Sequence, residues 1–178
     1  MGGAEMKKLA LLLGTLAVAL VAYGVALRSY AQTKTNDEAE IKALEERFIS
    51  AFMAKDVEAI MKGYAPGAEL VVFDVVPPRQ YVGFDAYKKD WEDFFALFPG
   101  RVVVFEIKDL SITTDNKLGY GHSIQHTIMT KKDGSKMDLT VRVTDCYSKI
   151  SGKWLIAHEH VSVPVDLDTG KADLSSKP

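Results

Sequence analysis

The chain has 178 residues, enough for one domain of ordinary size with appendages. Apolar residues make up 47% and charged ones 26%, the balance of a folded rather than a disordered protein. A net charge of -2 argues against nucleic acid as a partner, since a phosphate-tracking surface needs a clustered basic surplus, and a single cysteine, Cys146, excludes an intrachain disulfide.

Lys7 and Lys8 precede an apolar run over residues 9–27, and Ser29 and Ala31 then stand where a cleavage site after residue 31 wants small side chains. A basic start, an apolar stretch and small residues before the cut make a secretory signal peptide over residues 1–31. The run also approaches the ~20 residues that span a bilayer, so an uncleaved N-terminal anchor is the competing reading. Either way the domain is expected outside the cytoplasm, periplasmic or secreted, because the lysines precede the run. The membrane is a partner only if the segment is retained. Met1 and Met6 are alternative starts. The folded domain is expected over residues 36–164, followed by a polar tail over residues 165–178.

Thr35, Asn36 and Asp37 are helix-capping types, and Ile41, Leu44, Phe48 and Phe52 follow at helical spacing. Asp56 is expected to cap a second, short helix with Val57, Ile60, Met61 and Tyr64 on its inner face, ended by Pro66 and Gly67. Residues 69–74 read as a strand, and Pro77-Pro78 as a stiff loop. Residues 81–98 contain a third helix with Tyr87, Trp91, Phe94, Phe95 and Phe98 on one side. Such an aromatic stripe is usually core. Trp91 is singled out because aromatic walls also line small-molecule pockets. From residue 101 the apolar period changes to two, giving strands over about residues 101–113, 117–131, 136–149 and 153–163. Asp115-Asn116, Asp133-Gly134 and Ser151-Gly152 between them are turn signals, so the four form an antiparallel meander. Helices gathered early against such a sheet make an α+β layer with a cavity at its open end.

The element order, the passage AKDVEAIMKGYAPGAEL (residues 54–70) and the segment GKWLIAHEHVS (residues 152–162) resemble the SnoaL-like and ketosteroid isomerase homologues of the nuclear-transport-factor-2-like superfamily. The resemblance covers residues 41–163 and implies a cone: three N-terminal helices packed on a strongly curved, mainly antiparallel sheet. It also implies a small-molecule ligand or substrate and a homodimer through the convex sheet face. The catalytic residues of the steroid isomerases are not matched. Their first-helix tyrosine falls at Phe48, their base at Val72, and their oxyanion aspartate near Val141 or Arg142.

Polar residues inside strand patterns are the remaining candidates. Asp74 and Asp145 stand in or beside apolar runs, where burial perturbs protonation, and are the candidate catalytic residues. Tyr64, Trp91, His122, His126, Arg142, Tyr147, His158, Glu159 and His160 are the candidate pocket-lining residues. By the resemblance, Asp145, Val143, Tyr147, Glu159 and Val161 face inward, and Arg142, Thr144, His158 and His160 face away. A single β-bulge inverts that assignment, so both parities stay open. All four histidines lie on two strands with a third between them, which separates the backbones by about 10 Å. Ligand nitrogens must lie about 2 Å from a shared ion, so no metal is expected, and no organic cofactor. Two functions fit. One is acid–base chemistry of isomerase, cyclase or dehydratase type on a small apolar substrate. The other is a non-catalytic ligand-binding or dimeric assembly module of the cell envelope.

Overall fold

The computed structural model describes residues 3–176, and side chains for residue 5 and residues 19–176. The chain divides into two compact units, Met1–Asn36 and Asp37–Pro178. The first is helical. Lys7, Lys8 and residues 9–18 of the apolar run lie outside the described side chains, as do Met1 and Met6. Residues Leu20, Val21, Tyr23, Val25, Leu27 and Tyr30 are exposed. Among the described residues no helix is long and apolar enough to cross a membrane.

Helix α1 runs Gly3–Ala54, so Thr35, Asn36 and Asp37 do not start a helix as their types suggest. They continue one already formed by the alanine- and leucine-rich residues before them. Asp37 is instead buried and accepts hydrogen bonds from Trp154 Nε1 at 3.0 Å and Lys149 Nζ at 2.6 Å. A capping type has become the anchor of the helix on two strands.

In the second unit, Ile41, Leu44, Phe48 and Phe52 of α1 are buried, as their spacing requires. Helix α2 (Val57–Met61) begins at Asp56, whose carboxylate accepts the Ala59 amide at 2.9 Å. Strand β1 (Val71–Phe73) and the two-residue β2 (Tyr81–Val82) follow. Within residues 81–98, Tyr81 stands ahead of the helix and its backbone pairs with Val72. Helix α3 (Phe84–Leu97) turns Tyr87 and Phe95 inward. Strands β3 (Val102–Asp115), β4 (Leu118–Thr130), β5 (Lys136–Ile150) and β6 (Lys153–Ser162) complete one six-stranded sheet.

The sheet order is β2-β1-β6-β5-β4-β3, antiparallel throughout except for the parallel pair β1–β6. The three expected turns join the long strands, and Ser151 and Gly152 both adopt positive φ, the two-residue turn that matches strand twist. Residues 37–54 of α1, with α2 and α3, cover the inner face, where one apolar cluster from all of these elements forms the core.

Two bulges decide the faces. In β3 the register slips between Lys108 and Ser111, where Asp109 takes φ 52°, and the strand bends. In β6, Cys146 pairs with His158 but Tyr147 pairs with Ile156, so Ala157 is the extra residue. Trp154 and Ile156 are buried before it, and Glu159 is buried after it. The bulge switches the inward parity of β6 from even to odd positions.

Gly121 of β4 makes room for a buried side chain from the next strand. A Cβ there would lie 3.0 Å from the Tyr147 hydroxyl oxygen and 3.2 Å from its ring. The Gly121→Ala variant is therefore expected to lose about 1–3 kcal/mol of stability in urea unfolding, the usual cost of overpacking. A loss under about 0.5 kcal/mol would mean that Tyr147 has room to yield.

Candidate functional site

Between the helices and the inner sheet face lies a cavity of about 220 Å³. Its wall is aromatic: Phe48 and Phe52 from α1, Trp91 and Phe94 from α3, and Phe105 from β3. The rings lock one another, with Phe52 stacked on Phe105 at 4.0 Å and Trp91 edge-on to both Phe48 and Phe52 at 5.8 Å. Met137, Leu139, Val141 and Val143 of β5 form the sheet side. The polar lining is Asp74, Tyr87, Asp90, Gln125 and Glu159, and no lysine, arginine or histidine joins it. A wider, open groove of about 1010 Å³ lies between α1, α2 and the β5–β6 turn, edged by solvated Glu46, Arg47, Lys62 and Lys153, and it holds none of the cavity's carboxylates.

Glu159 is the deepest of these polar groups. Tyr87 donates its hydroxyl to Oε1 at 2.6 Å and Tyr64 donates to Oε2 at 2.8 Å. Both phenols are pushed far up by burial first and by the Glu159 charge second, so both stay protonated and act as donors. Tyr64 is held in place by its own backbone, because Ala65 N and Gly63 O bond to Ile156 of β6. Asp145 is the cross-strand partner of Glu159 and is itself buried. Two carboxylates this close cannot both ionise without a cation between them. Burial, then the charges of Glu159 and Glu45, push Asp145 well up, so it keeps its proton. Burial also raises Glu45, opposed by the hydroxyl that Tyr147 donates to it at 2.7 Å.

Glu159 itself is pushed up to about 7 by burial, with the Tyr87 and Tyr64 hydroxyls holding it down against a larger rise. Asp74 follows β1 nearer the solvent. It is raised by burial first and by Asp90 second, while the Val75 and Val76 amides at 2.5 and 3.4 Å on Oδ1 oppose the rise. Its other oxygen, Oδ2, lies 3.5 Å from the Tyr87 hydroxyl. Asp90 receives the Tyr81 hydroxyl at 2.6 Å and is raised mainly by burial.

The candidates named from sequence divide by strand parity. Asp74, Trp91 and Glu159 line the cavity. Tyr64, Asp145 and Tyr147 are buried behind it, in the layer of side chains that contacts Glu159 and Glu45. The other five do not line the cavity. His122, Arg142 and His160 are exposed on the opposite face, where alternation puts the even positions of β4 and β5 and, past the bulge, of β6. His126 is on that face too, bonded to Asp138 at 2.8 Å. His158 sets its ring edge-on to Phe73 at 4.9 Å, and its Nδ1 lies 2.8 Å from Val71 O of the neighbouring β1. Among the described residues no three His, Cys, Asp or Glu side chains are grouped to hold an ion.

Sequence reasoning missed Tyr87 as a polar group, and Glu45 and Asp90 altogether. Glu45 had a signal: it follows Ile41 by four and precedes Phe48 by three, which places it on the buried stripe. Tyr87 had one as well, since a tyrosine within a stripe of Phe and Trp carries a hydroxyl that burial obliges to find a partner.

The family model described as a SnoaL-like domain matches residues 41–166. A nuclear-transport-factor-2-like protein of unknown function from Pseudomonas putida is 31% identical, with 81% of this chain and 98% of that chain covered and a TM-score of 0.72. A candidate calcium/calmodulin-dependent protein kinase II association domain from Xanthomonas campestris is 24% identical, covering 69% and 84%, with a TM-score of 0.59. A candidate scytalone dehydratase from Novosphingobium aromaticivorans is 16% identical, covering 76% and 89%, with a TM-score of 0.67. The last two likenesses are of fold alone. No functionally curated protein matches the chain. With the family model spanning most of the chain and the cone-shaped sheet beneath it, the chain belongs to the SnoaL-like domain family of the nuclear-transport-factor-2-like superfamily.

Proposed function

We propose that this chain is an exported protein whose cavity binds a small neutral molecule and performs acid–base chemistry on it without an organic cofactor, as a dehydratase or isomerase. The observation that carries this reading is Glu159, a carboxylate poised near neutrality at the deep end of an apolar cavity, with a second raised carboxyl, Asp74, in the same lining. A general base works best with its pKa near the operating pH. The dehydratase class agrees with the name of the Novosphingobium relative.

The lining selects the substrate. The ionisable side chains of the lining other than Tyr87, namely Asp74, Asp90 and Glu159, are all carboxyls with no cation beside them, so a carboxylate or phosphate would find no counter-charge there. The volume of about 220 Å³ falls below the roughly 300–1,000 Å³ of clefts for drug-sized ligands, which favours one or two rings. The aromatic wall favours a flat ring system. Steroid isomerisation does not fit, because Phe48 has no hydroxyl and Val72 and Val141 have no carboxylate. The carboxylate stands one strand over, since Val72 pairs with Glu159 in the parallel β1–β6 ladder.

Roles follow from the donors. Tyr64 and Tyr87 both donate to Glu159, which favours its anion and makes it the base. Burial and the neighbouring Asp90 raise Asp74 and so favour its neutral form, which suits it to the role of acid. On a β-hydroxy ketone, Glu159 removes the proton α to the carbonyl. The C–H electron pair becomes the new C=C bond, the C–O bond breaks, and the Asp74 proton leaves with the oxygen as water. One turnover leaves Glu159 protonated and Asp74 ionised.

The test is a panel of neutral one- and two-ring β-hydroxy ketones, read by enone absorbance. Turnover of at least one is expected, with kcat falling about 10²–10⁴-fold in Glu159→Gln and Asp74→Asn. Turnover that is unchanged in both variants, or seen with none of the panel, overturns the reading.

The same protonation pattern makes stability depend on pH. Glu159 binds its proton up to about 7 in the folded protein, against an ordinary value of 4.5. The folded state therefore holds more protons than the unfolded one across that window, and stability falls as pH rises through it, by roughly 1.4 kcal/mol per pH unit for each extra proton. Thermal unfolding is expected at lower temperature at pH 8 than at pH 5, and Glu159→Gln is expected to flatten the dependence. A Tm that rises between those pH values contradicts the assignment.

Export and dimerisation complete the proposal. Lys7, Lys8 and the apolar run support export, and the exposed polar face of the long strands, with His122, Arg142 and His160, is the surface we assign to a second copy. N-terminal sequencing and light scattering of protein from the producing cell are expected to give a dimer beginning at Gln32. An intact N-terminus removes the cleavage, and a monomer removes the dimer.

A further inference from the structure

The Tyr87 hydroxyl stands between the two carboxyl groups that the proposed chemistry uses. It lies 2.6 Å from Glu159 Oε1 and 3.5 Å from Asp74 Oδ2. A phenol carries one hydrogen and can donate it to only one of them. If both contacts close as hydrogen bonds, one carboxyl must supply a second hydrogen, donated to the phenol oxygen. Asp74 Oδ1 is occupied by the Val75 and Val76 amides, which leaves Oδ2, the oxygen facing Tyr87, as the one free to carry a proton when Asp74 is neutral. Glu159 is held on both oxygens, by Tyr87 and Tyr64. The other ionisable groups around the pair are Asp90 on α3, Asp145 on β5 and Glu45 on α1, all acids, so no cation offers a competing path.

We propose that Tyr87 is a proton relay that returns the proton from Glu159 to Asp74 after each turnover. This inference rests on the acid–base roles given above. After elimination Glu159 is protonated and Asp74 ionised. The Glu159 proton passes to the Tyr87 oxygen as the Tyr87 hydrogen passes to Asp74 Oδ2. One O–H bond forms and one breaks at the phenol, which is neutral before and after. The Asp74 side chain must close on the hydroxyl by under 1 Å, to the ordinary O–H···O distance of about 2.7 Å. Tyr87 acts through Asp74 and Glu159 and is a positioning residue in this scheme. Tyr64, which reaches Glu159 alone, has no part in the transfer.

The relay is tested without a substrate, by carbon NMR titration of protein labelled at the Asp and Glu carboxyls. In the wild-type background, Glu159→Gln is expected to move the Asp74 midpoint by a unit or more, a tenfold change in proton affinity. With Tyr87→Phe as the background the same substitution is expected to move it by less than half as much, and with Tyr64→Phe by as much as in wild type. Equal shifts in all three backgrounds overturn the relay, because the carboxyls then sense each other only through space. If Tyr87→Phe does not fold, 3-fluorotyrosine at position 87 keeps the ring and strengthens the donor. It is expected to lower both midpoints, and no movement of Asp74 overturns the proposal. A failed substrate panel with intact coupling removes the proposed activity and leaves the relay standing.

Discussion

One extra residue in β6 governs what the cavity contains. Ala157 has no partner of its own in β5, and the strand resumes its pairing with the opposite parity. Before the bulge, Trp154 and Ile156 point inward and fill the core behind α1 and α2. After it, Glu159 points inward and His160 outward. Were the same residues paired without a bulge, inward alternation from Trp154 and Ile156 would continue to His158 and His160, and Glu159 would face the other way. The cavity would then hold groups that charge in acid rather than groups that hold protons toward neutrality. The bulge also brings Glu159 level with Asp145 on one side and Val72 on the other, so the acid pair and the apolar neighbour follow from a single register.

A cluster of Glu45, Asp74, Asp145 and Glu159 with no cation among them would be unstable if fully ionised. The fold resolves this with protons and phenols rather than with lysine or arginine. Tyr64, Tyr87 and Tyr147 each donate to a carboxylate oxygen, and burial keeps each phenol protonated. A lysine in the same place would pull the carboxyls down and fix them as anions. Hydroxyl donors only oppose the rise that burial causes in Glu45 and Glu159, and Glu159 is left at about 7. Raised carboxyls of this kind favour the folded state in mild acid over alkali, the reverse of the usual trend for salt-bridged carboxylates.

The aromatic wall supplies the complementary constraint. Phe48 and Val72, which the resemblance to ketosteroid isomerases sets against catalytic groups, are buried packing residues: Phe48 contacts Trp91, Phe52 and Phe105. In the proposed chemistry the carboxylate stands one strand over, on β6 rather than β1, while the apolar frame is retained. One fold hosts many chemistries by such displacements, because the inner face of the sheet offers several positions at equal depth.

The order of elements, the third helix, the turns and the four long strands were legible in the sequence because each rests on local rules: spacing of apolar residues, Asp-Gly and Ser-Gly turns, and Pro-Pro breaks. The segment GKWLIAHEHVS and the passage before the first strand carried the family as well. Asp74 and Glu159 could be named because they are charges inside apolar patterns. Asp37 misled, since its type favours a helix start and only the indole of Trp154 and the amine of Lys149, both distant in sequence, explain its burial. The histidines misled for a related reason: spacing along a strand tells which residues share a face but not which face is inside. That depended on Ala157, whose side chain carries no signal for a bulge and whose extra place is visible only against its partner strand. The sequence by itself determined the fold class and the residues able to hold protons. The tertiary structure alone decided which of them share a cavity, because inward parity and hydrogen-bond partners are properties of paired strands rather than of any one segment.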